Sequence, residues 1–220
     1  MVTDQTLARF RIPEVEAGER ITGFVGLVVQ PDPATIEAAY ELAAAVVPRD
    51  AEVLLAPGLL PHVTLAQGAL RDAPRERLTV FVDRLERELR GRPIPLGPIV
   101  PFGGGFSFWC VDPTSPERAL LQRVHAAALG VADGFLDPVV NARVIEATLK
   151  ASNDDAVLGD NARRYGYAFV NDRYLPHVTL GFDARLAADP AREHRRTMVA
   201  ERVVVVRLGR YGRAEAVLAL

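Results

Sequence analysis

Two histidines and two threonines stand at the same offset in one repeated phrase: LPHVTL fills Leu60 to Leu65 and again Leu175 to Leu180. A neutral imidazole takes a proton from an attacking water or ribose hydroxyl, while a protonated one gives a proton to a leaving oxygen. Threonine hydroxyls donate to the non-bridging oxygens of a phosphate as charge develops there. The chemistry these types support together is acid-base transfer at a phosphodiester, with His62 and His177 as acid and base and Thr64 and Thr179 as phosphate ligands. It needs no metal, nucleophilic serine or Walker loop.

One copy alone reads better as simply a strand entering a sheet, its histidine satisfied by a backbone carbonyl. Two copies weigh differently. Sheet patterning is met as well by Val, Ile or Tyr at the histidine position, so it does not explain an imidazole and a hydroxyl repeated together.

Positioning these groups requires a strand. The β-branched alternation of the phrase predicts one, and residues two apart on a strand share a face. His62 and Thr64 then lie on one side, as do His177 and Thr179, with Val63, Leu65, Val178 and Leu180 turned to the core. The proline before each histidine suits a strand start or edge, where its missing N–H costs nothing. Two copies 177 − 62 = 115 residues apart fit a duplicated half-domain better than a solenoid.

The rest of the chain predicts strands and helices interspersed. A strand is expected at Ile21 to Val29, after an N-terminal extension over residues 1–20. Ile36, Tyr40, Ala43, Ala44 and Val47 mark a helix ending near Pro48, and Leu78, Phe81, Val82, Leu85 and Leu89 mark another. IPLGPIVPFGGGFSFWCVDP reads as a hairpin, its glycines a turn, because no Gly-Lys-Ser/Thr follows them. Ser115 and Pro116 open a third helix. Residues 131–173 predict helical pieces and loop, with SNDD a turn. A short helix is expected from Asp189 and Pro190, and VVVVRLGRYGRAEAVLAL reads as a closing hairpin turning at Gly209 to Gly212. The class is α+β, one domain over 21–220.

At its two motifs the sequence resembles the 2H phosphoesterase superfamily, which includes 2′-5′ RNA ligase-like proteins and cyclic nucleotide phosphodiesterases. The motif pair, His-x-Thr/Ser-x, is matched by His62-Val63-Thr64-Leu65 and His177-Val178-Thr179-Leu180. The resemblance implies a bilobal fold of two pseudo-symmetric lobes, each with a mainly antiparallel sheet and outer helices around a central groove. It implies metal-independent opening of 2′,3′-cyclic phosphates or cleavage of 2′-5′ linkages, with no cofactor. The interval between the motifs is longer than in compact members, and the excess falls at 131–173 as an insertion or cap.

Other residues are candidates for contact with substrate. Tyr174 and Tyr167 precede the second motif and Trp109 lies in the middle hairpin, where rings could stack on a nucleobase. Arg173 could bind phosphate in a bidentate fork. His125 and His194 lack partner spacing and read as structural or surface residues. A zinc site from His62, His177 and a carboxylate has no local ligand spacing behind it.

Composition narrows the partners. A net charge of -2 gives no global basic field for a long nucleic acid, so the expected partner is a small nucleotide or RNA end, not DNA. The single cysteine, Cys110, excludes intramolecular disulfides and cysteine-rich zinc sites. No apolar leader or spanning run is visible, so a cytoplasmic monomer without a membrane partner is expected. Two readings from outside hydrolysis stay open: RNA ligation, which is the same site run backwards, and a non-catalytic nucleotide- or RNA-end-binding module.

Overall fold

The computed structural model describes residues 12–47, 52–53, 55, 58–102, 105–151, 155–182 and 194–220. The strands are β1 (Glu14–Glu16), β2 (Arg20–Pro31), β3 (Glu52–Val53), β4 (Val63–Pro74), β5 (Pro93–Phe102), β6 (Phe106–Val111), β7 (His177–Phe182), β8 (Arg196–Leu208) and β9 (Ala214–Ala219). The helices are α1 (Pro33–Val46), α2 (Arg75–Leu89), α3 (Pro116–Leu129), α4 (Pro138–Ala151) and α5 (Ala156–Tyr165), with three short 3-10 turns. The fold is α+β.

Strand order is β1-β9-β8-β2-β4-β7-β6-β5, with β3 on β7 and a further pairing of β5 with β8. That last pairing closes the ladder on itself. β8 makes the closure by serving two neighbours along its length: Arg196 to Val199 pair with β5, and Ala200 to Arg207 pair with β2. At the opposite side the link is narrow, since β4 meets β7 at the single pair Val63 with Val178. Two antiparallel arms, β9-β8-β2-β4 and β8-β5-β6-β7, thus share β8 and touch again at the two motifs.

Local sequence accounts for these elements. Val203 to Val206 form an unbroken apolar run because both faces of β8 are covered: Val203 and Val205 join the main core, Val204 and Val206 a second cluster with Val28, Ile36 and Leu60. Asp32 caps α1 by accepting from the Thr35 amide at 3.0 Å, with Pro33 preset for the first turn. Leu78, Leu85 and Leu89 put one face of α2 into the core, each burial worth about 1.5–3 kcal/mol, while Glu76, Arg77, Asp83, Arg84 and Arg87 stay exposed. Ser115 takes the N-cap place of α3, yet its hydroxyl makes no capping bond and Pro116 carries the start.

Residues 14–16 of the expected N-terminal extension pair in parallel with β9, so they belong to the sheet. The anticipated short helix at Asp189 and Pro190 lies outside the described residues, as do Gly103 and Gly104. Phe102 and Phe106 pair across the β5–β6 turn, as a hairpin requires.

Residues 131–173 hold α4 and α5, which pack on each other with Leu158, Ala162 and Ala168 as their own small core. They attach to the free edge of β4 beyond its motif. Leu136 bridges Leu70, the Asn141 amide group both donates to the Ala69 carbonyl and accepts from the Ala69 amide, and Arg71 pairs with Asp137 at 3.0 Å.

Candidate active site

His62 stands directly before β4 and Thr64 inside it, while His177 and Thr179 open β7. The alternation holds, because Val63, Leu65, Val178 and Leu180 are all wholly buried. The other four side chains line one groove of about 560 Å³. Antiparallel pairing of Val63 with Val178 sets the cross-strand order: His62 falls opposite Thr179, and Thr64 opposite His177. Each histidine is therefore placed by the register across from the threonine of the other motif.

Both histidines are held the same way. His62 Nδ1 lies 2.7 Å from the Leu60 carbonyl oxygen and His177 Nδ1 2.5 Å from that of Leu175, two residues back in each case. A carbonyl only accepts, so Nδ1 carries the proton in both rings and the lone pair of the neutral form is on Nε2. Desolvation pushes the His62 imidazolium down, opposed by its bond to Leu60. Burial lowers His177 to about 4, the Leu175 bond opposing it and the nearby His62 adding to it. The His177 ring also stacks on Phe108, centroids 3.5 Å apart. Near neutrality both groups are ready to accept a proton at Nε2.

The walls are largely aromatic. Phe24, Phe102, Phe106, Phe108, Phe169 and Tyr211 line the groove. Phe102 contacts both Phe108 and Phe169, and Phe106 contacts Tyr211. Tyr167, Tyr174 and Arg173 line it too. Burial pushes the Tyr167 phenol up to about 12, so it stays a neutral donor. Arg173 is paired with Asp155 at 3.2 Å, and Asp155 also caps α5. Tyr174 is 7% exposed and its hydroxyl donates to the Thr64 carbonyl at 2.8 Å, so it meets the groove with its ring rather than a free hydroxyl.

Trp109 lies elsewhere, contrary to the expectation of a substrate contact. Strand alternation decides it: Phe108 faces the groove, so its neighbour Trp109 turns into the core, where Nε1–H donates to the His194 carbonyl at 2.9 Å. His125, read from sequence as structural or surface, is a buried groove residue. Its partners are carbonyl and amide groups 60 and 46 residues away, which no local spacing announces. Phe169 and Tyr211 were equally silent in the sequence. Among the described residues no three His, Cys, Asp or Glu side chains converge as metal ligands.

No protein-family model and no curated protein matches the sequence. Among solved structures, the crystal structure of a phosphoesterase is similar over 90% of this chain and 97% of its own, with a TM-score of 0.50 at 15% identity. That likeness shows the fold.

Proposed function

We propose that this protein is a metal-independent phosphodiesterase that opens 2′,3′-cyclic phosphates of nucleotides or RNA ends, or cleaves 2′-5′ linkages, by two-histidine acid-base catalysis. The observation that carries the reading is the pair of tautomer-fixed imidazoles lining one groove, each with its Nδ1 on a backbone carbonyl and a threonine of the other motif opposite it. A phosphoesterase of the same fold supports it.

In the proposed reaction, Nε2 of one histidine takes a proton from water as its oxygen bonds to phosphorus. Nε2–H of the other gives its proton to the ribose oxygen as the P–O bond to that oxygen breaks. Thr64 and Thr179 donate to the non-bridging oxygens, whose charge grows in the transition state. The product is a nucleoside 2′- or 3′-monophosphate, and the proton count balances once the two histidines exchange states through solvent. Half-buried rings along the walls offer faces to a nucleobase.

The test is incubation of the purified protein in EDTA with the four nucleoside 2′,3′-cyclic phosphates, beside His62→Ala and His177→Ala. Monophosphate formed by the wild type and lost in both variants is the expected result. Nucleotide binding without turnover, unchanged by either substitution, would overturn the reading in favour of a binding module.

A further inference from the structure

A third imidazole lines the groove, and its nitrogens are both occupied. His125, on α3, is 1% exposed. Its Nδ1 lies 2.6 Å from the Leu65 carbonyl, which accepts only, so Nδ1 carries the proton. Its Nε2 then accepts from the Asn171 amide at 3.0 Å. A ring committed at both ends cannot shuttle protons, so His125 is not a second base.

What it joins is informative. Leu65 closes the first motif, and Asn171 begins the short turn, Asn171–Arg173, that leads to the second. Asn171 has φ of 52°, the left-handed region that asparagine tolerates but does not prefer, and α3 holds both of its backbone groups. Gln122 Nε2 donates to the Asn171 carbonyl at 2.6 Å while His125 takes its amide. Tyr174 completes the clamp: its ring stacks on His125 with an interplanar angle of 1° and centroids 3.9 Å apart, and its hydroxyl donates to the Thr64 carbonyl. The direct backbone link between the motif strands is a single residue pair, which is a slender basis for fixing two catalytic pairs.

We propose that His125, with Tyr174 stacked on it, is a positioning residue of the two-histidine site: it ties the first motif to the turn before the second and so sets the gap that the phosphate must fill. The inference rests on the phosphodiesterase reading above. Burial disfavours the imidazolium, against the opposing Leu65 bond, in keeping with the neutral ring that both bonds need. Misplacing one motif against the other disturbs the transition state more than substrate capture, since in-line transfer needs both imidazoles aligned at once.

The experiment is steady-state kinetics on 2′,3′-cyclic nucleotides for wild type, His125→Leu, His125→Gln and Tyr174→Phe, with Tm measured for each. Leu fills the space with neither bond and should lower kcat about 100-fold with KM little changed. Gln, which can restore an acceptor for the Asn171 amide or a donor to Leu65, should recover a large part of that loss. Tyr174→Phe keeps the stacked ring, loses only the bond to Thr64, and should lower kcat several-fold; it carries the test if His125→Leu does not fold. Wild-type kcat and KM in the folded variants, whatever their Tm, overturn the proposal while leaving the phosphodiesterase reading intact. An inactive wild type overturns that reading, and the proposal with it.

Discussion

Val63 and Val178 are partners in the only residue pair that joins β4 to β7 among the described residues, and that pair lies at the centre of both motifs. Antiparallel pairing of two copies of one phrase is two-fold symmetric about the pair, so the register places each histidine across from the threonine of the other copy. In the proposed reaction neither motif makes a complete acid-base and phosphate site alone.

The first prediction follows from that sharing. His62→Ala and His177→Ala should each lower kcat by about 10²–10⁴-fold, as loss of a positioned acid or base does. The double variant should lose little beyond the worse single one, because the two act as a unit. Thr64→Val and Thr179→Val keep the shape of the side chain and should each cost about 10²-fold, the scale for losing one donor to a developing oxyanion. Full activity in the variants of either motif would show that one copy suffices.

The pH dependence has a definite sign. The proposed reaction needs one imidazole neutral and one protonated, and burial lowers both, His177 to about 4. In the free enzyme the mixed state is therefore populated on the acid side of the ordinary histidine value. The kcat/KM profile should be bell-shaped with its optimum below pH 6.5. A bound phosphodiester anion favours the imidazolium, so the kcat profile should lie at higher pH. The two limbs belong to the coupled pair rather than to either ring. A kcat/KM that keeps rising to pH 9 contradicts this.

The site was more legible in the sequence than the frame around it. Four residues could be placed because period-two alternation is strict on a strand and the phrase occurs twice. Trp109 was misplaced because aromatic character was read without that rule, since one step along β6 moves a ring from the groove to the core. β8 was seen only in its valine-rich end. Its first residues, Arg196 to Val199, open on Arg196 and Thr197 and show only Met198 and Val199 as apolar, too short a run to read as a strand, although they close the ladder onto β5. His125 was hidden for another reason: its partners are backbone atoms, which leave no residue-type signal.

Acid stability offers a check independent of turnover. A histidine held below its ordinary 6.5 favours the neutral ring on folding, so the unfolded chain binds the proton more readily. Stability contributed by His177 is full above 6.5 and is lost as the pH falls toward its folded value of about 4. The loss is on the order of 3 kcal/mol for this group, an upper figure for a partly solvated ring. Denaturant unfolding of the wild type should show falling stability from pH 7 to 4.5, and His177→Gln should flatten that slope. An identical slope in the variant would place the His177 proton equilibrium near its unfolded value.

The last prediction concerns how the α4–α5 unit is fixed to the first motif strand. Asn141 is 4% exposed and pairs with both backbone groups of Ala69, its side chain standing in for a neighbouring strand. In Asn141→Leu the Ala69 carbonyl keeps the Asp137 amide, at 2.8 Å, but the Ala69 amide loses its acceptor. An unpaired buried donor costs about 1–3 kcal/mol, and for a chain of this size each kcal/mol lowers Tm by about 2–4 °C. Gly166→Ala should act at the same joint, because φ of +72° disfavours a side chain there and its Cβ would lie 2.9 Å from Asn141 Oδ1. Val139→Ala, on an exposed residue of α4, should leave Tm nearly unchanged. Since α4 also supplies Val140 to the groove wall, loosening this joint should raise KM more than it lowers kcat. Thermal melts with steady-state kinetics on the three variants decide it: a KM unmoved by Asn141→Leu, despite a lowered Tm, would mean that the wall does not depend on this anchor.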